Sequence, residues 1–332
     1  MPTTRTPIAN LAPAELVEGA FAIQNCQLGQ TKNGKPFIKC LLADRSGRTP
    51  GRMWNATPEL FAQLPTDGFV YIEGQTQPYQ GEMQIIIHKI HAHEPTVAEL
   101  TELLPSTEHD IDEMFAEVIK LLGTLEHPPI CALRDRYLED GPLMEAFCRA
   151  PAATALHHAF LGGLLEHTLS VMKFAKAILP NYPEINRDVV LFGLFIHDLG
   201  KTAELSWDAG FAYTEDGQLV GHIARGVIWL HDKARTCAED PEINQPIPTR
   251  LLAVLEHIIL SHHGQPEYGA LKIPATPEAI MISLIDNADA KINLALMAAK
   301  RSQPVNPDLP AGDFTEKIWA LETKILRPDP TD

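Results

Sequence analysis

Apolar and polar positions alternate with a period of two from about Val17 to His93, and the period lengthens to 3.6 from about Pro151 onward. Strands are therefore predicted in the first part of the chain and helices in the second. Phe21-Ala-Ile-Gln-Asn-Cys and Phe37-Ile-Lys-Cys-Leu-Leu flank Asn33-Gly34, a hairpin signal because both central turn residues must tolerate positive φ. A second turn, Asp44-Arg-Ser-Gly47, leads into Arg52-Met-Trp54. Thr57-Pro-Glu-Leu-Phe-Ala-Gln-Leu64 then reads as a short helix with a threonine cap and proline at its first position. Phe69-Val-Tyr-Ile-Glu and Met83-Gln-Ile-Ile-Ile-His supply two further strands across a Gly/Pro/Gln-rich hairpin.

Three strands, a helix and two strands in this order are the layout of an OB-fold, a small Greek-key barrel that often binds single-stranded nucleic acid. Residues from about Val97 to Arg149 read as helical and connective, with acidic runs and the breakers Pro105, Pro128-Pro129 and Gly141-Pro142. Beyond them Phe160, Leu164, His167, Val171, Phe174 and Ile178 fall on one helical face. The expected architecture is two-domain, an N-terminal β-barrel (OB-fold) at 1–97 and a C-terminal all-α domain at 151–302. A helical linker at 98–150 joins them, and a peripheral tail at 303–332 carries one amphipathic piece, Phe314 to Leu326.

Composition narrows the class of protein. With 332 residues, 45% hydrophobic and 21% charged, the chain has the balance of a folded globular protein. No apolar run approaches the roughly 20 residues of a bilayer span, and Met1-Pro-Thr-Thr-Arg-Thr-Pro lacks a signal-peptide core, so a cytoplasmic protein with no membrane partner is expected. Cys26, Cys40, Cys131, Cys148 and Cys237 are scattered and never form a Cys-x-x-Cys pair, which indicates reduced packing thiols. A net charge of -16 opposes indiscriminate coating of polyanions. Locally, however, Lys32, Lys35, Lys39, Arg45, Arg48 and Arg52 meet a single acid, Asp44, between Thr31 and Arg52. Phe37, Trp54 and Tyr71 add rings on neighbouring strands, and bases stack on such rings for roughly 1–3 kcal/mol each. Phe37, Lys39, Arg52 and Trp54 are accordingly the candidate nucleic-acid contacts, with a solvated strand face or barrel core as the alternative for each.

The chemistry lies in the helical part. His197-Asp198 closes an otherwise apolar run, Asp188 to Lys201, and burying an imidazole beside a carboxylate is costly unless a cation neutralises and coordinates them. His167 stands in the middle of the apolar stripe named above. His262-His263 end a second apolar run in which Leu251, Leu255, Ile258 and His262 share a face, with Gly264 placed to stop the helix. Asp286 follows Ile282 by one turn in a third such run. One shared metal site accounts for these separate placements more economically than unrelated core contacts do. Imidazole and carboxylate without thiolate suit Mn, Fe, Zn or Ni.

The order His, His-Asp, Asp at His167, His197, Asp198 and Asp286 resembles the HD superfamily of metal-dependent phosphohydrolases. The longer stretches His157-His158 to His167, His197-Asp-Leu-Gly-Lys201, Gly221-His-Ile223, Ser261-His-His-Gly264, Pro277-Glu-Ala279 and Asp286-Asn-Ala-Asp-Ala290 are similar to the YhaM family of 3′-to-5′ exoribonucleases, in which an OB-fold precedes an HD domain. The resemblance covers roughly residues 15 to 300. It implies that His167, His197, Asp198 and Asp286 hold one divalent ion and that His222, His262 and His263 hold a second, with Asp198 bridging. Manganese is the expected metal, and Fe, Ni, Co, Zn or Mg suit the same donors. A three-metal HD class carries glutamate four residues before the first histidine; here that position is Gly163, so two ions are expected. The Gly-Tyr-Pro signature of cyclic-dinucleotide HD enzymes is replaced after His263 by Gly264-Gln-Pro-Glu-Tyr-Gly269.

Asp198 and Lys201 are the catalytic candidates, the lysine either stabilising charge on the scissile phosphate or serving as a helix C-terminal cation. His157 and His158 are expected to touch substrate phosphate or to orient a ligand, and Glu166 and Asp289 to support ligands or lie on a helix surface. The activity so implied is 3′-to-5′ hydrolysis of single-stranded RNA, with single-stranded DNA as a further substrate, releasing nucleoside 5′-monophosphates; a homo-oligomer is compatible with it. The rival readings are an HD phosphohydrolase of a small nucleotide and a non-catalytic single-strand-binding factor.

Overall fold

In the computed structural model, which describes residues 5–31, 33–79, 82–154, 158–207, 210–241, 244–300 and 314–327, strand β1 (Leu16–Gln30) bends in its middle to serve two neighbours. Its first half pairs with β4 (Gly68–Tyr79) and its second with β2 (Pro36–Asp44). The bend is a bulge between Gln24 and Gln27, where Asn25 takes a left-handed φ of 53° and Cys26 donates its N–H to the Thr66 carbonyl at 3.0 Å. With β3 (Gly47–Trp54) and β5 (Glu82–Ala92) the strands close in the order β1-β2-β3-β5-β4, antiparallel except for β3 beside β5. This is the OB-fold layout expected from the strand pattern. Period-two alternation turns Phe21, Ile23, Ile38, Leu42, Val70, Ile72, Ile85 and Ile87 inward to fill the barrel. Helix α1 (Pro58–Phe61) follows β3, its N-terminus capped by Thr57, whose hydroxyl accepts the Leu60 N–H.

The first hairpin departs from the sequence expectation. Of Asn33 and Gly34, only the glycine has positive φ, at 76°. The turn is longer than a two-residue one, closed by Gly34 N–H to Thr31 O and Thr31 N–H to Lys35 O, and among its described residues only Gly34 takes the left-handed conformation. Lys32, counted in the basic patch, lies outside the described residues.

One buried carboxylate ties the barrel together. Asp44, with its side chain 2% exposed, accepts Arg5 Nη1 at 2.6 Å, the Ile8 N–H at 2.9 Å and the Ser46 N–H at 2.8 Å. Burial alone would raise its pKa, yet the hydrogen bonds from Ser46, Arg5 and Ile8 outweigh that and hold it below the usual carboxylate range. A carboxyl depressed in the folded state stabilises above its unfolded value, near 3.9, and loses that contribution as pH falls through the folded value. Asp44→Ala should therefore cost about 3 kcal/mol in urea unfolding at neutral pH. The gap between wild type and variant should narrow below about pH 4, and a pH-independent gap would refute the assignment.

The described residues fall into two compact units, Met1–Thr107 with Ser206–Ala212, and Glu108–Leu205 with Tyr213–Asp332. Helix α2 (Val97–Leu103), opened by a Thr96/Glu99 capping box, belongs to the first. The second is built from α3 (Ile111–Leu122), α4 (Pro128–Leu138), α5 (Gly141–Arg149), α6 (Gly163–Ile178), α7 (Arg187–Ile196), α8 (Lys201–Glu204), α9 (Glu215–Leu219), α10 (Gly221–Glu239), α11 (Thr249–Ser261) and α12 (Pro277–Lys300). A pair of two-residue strands, β6 (Leu205–Ser206) and β7 (Ala212–Tyr213), lies between α8 and α9. Of the segment expected as a bridge, α3 and α5 pack on α6, and α4 on α7 and α10. No helix among the described residues is long and apolar enough to cross a membrane.

Helix α7 is buried from Asp188 to Ile196 and packs against α4, α6, α11 and α12, which suits its unbroken apolar sequence. Asn186 caps its first N–H groups, and the Asp188 carboxylate accepts the N–H of Glu126 at 2.7 Å and of His127 at 2.8 Å. The stripe assigned to α6 is corrected in two places. Phe160 precedes the helix, which starts only after Gly162, and Phe174 is 38% exposed. Phase set from Gly163 turns Leu164, His167, Thr168, Val171, Met172 and Ala175 inward and leaves Phe174 on the rim. In the tail, Phe314 bridges Leu326 and Ile318 bridges Thr323 as a small antiparallel hairpin, while 301–313 and 328–332 lie outside the described residues.

Candidate metal centre

Helix ends and buried helix faces deliver the polar groups. His197 caps α7 and Asp198 follows it; His167 lies in α6, His222 in the first turn of α10, His262 and His263 at the end of α11, and Asp286 in α12. The side chains of all seven converge. Ligand atoms of His167, His197 and Asp286 lie within 4.8 Å of one another, and so do those of Asp198, His222, His262 and His263. Asp198 faces both groups: Oδ2 is 3.4 Å from His197 Nε2 and 3.8 Å from His167 Nε2, while Oδ1 is 3.4 Å from His262 Nε2 and 3.7 Å from His222 Nε2. Asp286 Oδ1 stands 3.2 Å from His167 Nε2.

The rings are turned for coordination. Nδ1 of His197 donates to the Leu194 carbonyl, His262 to Ile259 and His263 to Tyr268. A carbonyl can only accept, so the proton sits on Nδ1 and the Nε2 lone pair points into the site. Asp198 Oδ1, His222 Nε2 and His262 Nε2 are buried without a hydrogen-bond partner among the described residues. Converging orphan acceptors of this kind are costly unless a cation satisfies them, and imidazole with carboxylate suits a divalent ion. The residues present therefore fit a metal.

Electrostatics sharpen the picture. Burial alone would lower the His167 pKa, but hydrogen bonds to Asp286 and Asp289 and the charge on Asp198 carry it to about 10. Burial lowers His262, and burial with the adjacent His262 brings His263 to about 3. Asp198 is held well below the carboxylate range against the effect of burial, chiefly by Lys201 and His197. Lys201 Nζ is 2.7 Å from Asp198 Oδ2. The lysine is the first residue of α8, not the last turn of α7, which removes the C-terminal helix-dipole reading.

His157 lies outside the described residues. His158, expected at substrate phosphate or behind a ligand, is 3% exposed at a left-handed φ of 49° and places Nε2 3.2 Å from Asp289 Oδ2. Its ring centroid lies 5.5 Å from that of His167, so His158 stands beside Asp289 and His167 in the same group of buried polar side chains. Asp289, with the helix surface as one expected fate, is 6% exposed and accepts His167 Nδ1 at 2.8 Å; Glu166 Oε1 lies 3.8 Å from His158 Nδ1. Glu204 was not singled out in the sequence, yet its Oε1 accepts both the backbone N–H and Nδ1–H of His222, at 3.0 and 2.9 Å. No periodicity connects the two across 18 residues.

On the barrel, Phe37 and Trp54 face each other across β2 and β3 with ring centroids 5.4 Å apart, and exposed Lys39 pairs in register with Arg52. The Arg52 guanidinium lies 5.9 Å from the Trp54 ring and 5.3 Å from that of Tyr79, within cation–π range of both. Tyr79, at the end of β4 beside the Gly/Pro/Gln-rich hairpin, was missed because no alternation frames it; it is 47% exposed and Trp54 43%. Tyr71 stands apart from them, stacked on His91 at 5.4 Å and donating to Glu18 at 3.1 Å.

Residues 164–291 match the HD domain family, a span that contains all seven converging side chains. Among solved structures, the second OB-fold domain of replication protein A from Methanococcus maripaludis is matched at 16% identity and a TM-score of 0.21, covering 28% of this chain and 97% of that one. A curated relative from Geobacillus sp. (strain WCH70), the 3′-5′ exoribonuclease YhaM, is 33% identical over 318 residues, 96% of this chain and 93% of that protein. Identity of this extent across nearly the whole of both chains places the protein in the YhaM family of HD-domain exoribonucleases.

Proposed function

We propose that the protein is a metal-dependent 3′-to-5′ exoribonuclease that degrades single-stranded RNA in the cytoplasm, with single-stranded DNA as a further substrate, and releases nucleoside 5′-monophosphates. The observation that carries this reading is the division of one carboxylate: Asp198 turns one oxygen to the His167 and His197 rings and the other to those of His222 and His262. On this reading His167, His197 and Asp286 hold one divalent ion and His222, His262 and His263 a second, manganese at both, with Asp198 shared. Ions bound there supply Lewis acidity, activating water at neutral pH and neutralising charge that builds on the phosphoryl oxygens. Lys201, poised on Asp198, offers its ammonium to the same oxygens as a point cation. Residues 1–97 act as the capture module, in which Arg52, Lys39 and the Phe37, Trp54 and Tyr79 rings hold backbone and bases. Residues 151–302 carry the hydrolytic site, and α3, α4 and α5 of the 98–150 segment support it.

A 5′-labelled single-stranded RNA should shorten stepwise from its 3′ end in the presence of Mn²⁺, with mononucleotides as the only small product. Hydrolysis confined to a panel of free nucleotides would instead favour a small-nucleotide phosphohydrolase. In the same assay Trp54→Ala should raise KM roughly tenfold with kcat retained, from the ~1–3 kcal/mol of one stacking platform. An unchanged KM would remove Trp54 from the capture surface.

A further inference from the structure

Five imidazoles of the centre have their outer nitrogen anchored, but not to the same kind of group. His197, His262 and His263 donate Nδ1 to main-chain carbonyls at 2.7, 2.8 and 2.8 Å, contacts local to each ring's own helix or turn. His167 and His222 donate to carboxylates, Asp289 at 2.8 Å and Glu204 at 2.9 Å. Each of the two groups of ligands contains one ring of this second kind. The geometry points to a division of labour in which Asp289 and Glu204 are positioning residues, Asp289 governing the metal position built on His167, His197 and Asp286, and Glu204 the one built on His222, His262 and His263.

Asp289 follows Asp286 by three residues on α12, so both carboxylates share a helix face. Asp286 Oδ1 lies 3.2 Å from Nε2 of His167 while Asp289 Oδ2 takes Nδ1, and one helix thus grips both edges of a single ring. Asp289 is itself fixed by His158 Nε2 and by the Ser170 hydroxyl of α6. Glu204 reaches the same end by binding the ring and the backbone N–H of His222 with one oxygen, which ties the ring to the start of α10. An anion behind Nδ1 fixes the tautomer and the ring plane and increases electron donation through Nε2, an effect worth 10- to 100-fold in metal affinity for such outer partners. A neutral carbonyl supplies the first without the full charge.

This inference rests on the two-ion reading, and the test separates their failures. Full-length protein stripped with EDTA is titrated calorimetrically with MnCl₂. Wild type should take up two equivalents; fewer than two defeats the two-ion reading and the assignment together. With two equivalents in the wild type, Asp289→Asn should weaken one of them roughly 10- to 100-fold and leave the other within about threefold. Glu204→Gln should do the converse. In a His263→Ala background, which disables the second position, Asp289→Asn should still weaken the remaining equivalent and Glu204→Gln should not. Ser170→Ala, which releases only one restraint on Asp289, should shift the same equivalent as Asp289→Asn by a few-fold, and it serves as the readout if the aspartate variant does not fold. Equal weakening of both equivalents by either carboxylate variant, or no shift from any of them, overturns the assignment.

Discussion

Asp198→Ala is expected to lower kcat on single-stranded RNA by at least about 10³-fold while changing RNA affinity by no more than a few-fold. Asp198 is 2% exposed and faces four imidazoles and one ammonium: His167, His197, His222, His262 and Lys201. Deleting its carboxylate removes the group common to both clusters and leaves Lys201, with a side chain 13% exposed, without its close counter-ion. Both consequences strike the hydrolytic site, whereas the proposed capture residues lie in another unit of the chain. Asp198→Asn keeps the shape and removes only the charge, so it should lose activity to a similar extent and separates chemistry from folding. Turnover within tenfold of wild type would defeat the role given to Asp198. Loss of RNA binding in a protein whose parent never hydrolysed RNA would favour the non-catalytic binding factor.

Gly200→Ala should also be damaging, although it is a small change at a position whose own backbone invites it. Gly200 has φ −57° and ψ −20°, values in which alanine is comfortable. The obstacle is across the fold: a Cβ at Gly200 would sit 2.1 Å from the carbonyl oxygen of His222 and 2.9 Å from its Cα. Backbone cannot yield as a flexible side chain does, so the start of α10, which carries His222, must move away from Gly200 by about 1 Å, a displacement that typically costs about 10²-fold in rate. The overpacking should also cost about 1–3 kcal/mol of stability. Steady-state kinetics and thermal melting read the two effects independently. Wild-type rate together with wild-type melting would show that α10 does not need this close approach.

How far the chain could be read without coordinates differs by element. The barrel strands were visible because a half-buried strand must alternate, and Ile85 and Ile87 point into the barrel as that alternation requires. The apolar runs ending in His197 and His262 stood out because polar groups there break a buried pattern, and the structure brings those side chains together. His222 had no such frame, since α10 begins one residue before it at Gly221 and leaves too few turns for a periodic signal. Phe174 misled for the opposite reason, an apolar residue at helical spacing that the phase of α6 leaves on the rim.

Local sequence thus specified which segments become strand or helix and which faces are apolar, because backbone geometry repeats every two or 3.6 residues and burial follows it. It also marked imidazoles and carboxylates standing on those faces. The pairings of His167 with Asp289, 122 residues away, and of His222 with Glu204, the place of Tyr79 beside Arg52, and the clearance that Gly200 leaves for His222 came from the folded chain alone. Such contacts depend on where distant segments return in space, a property of packing among whole helices and strands that no local periodicity encodes.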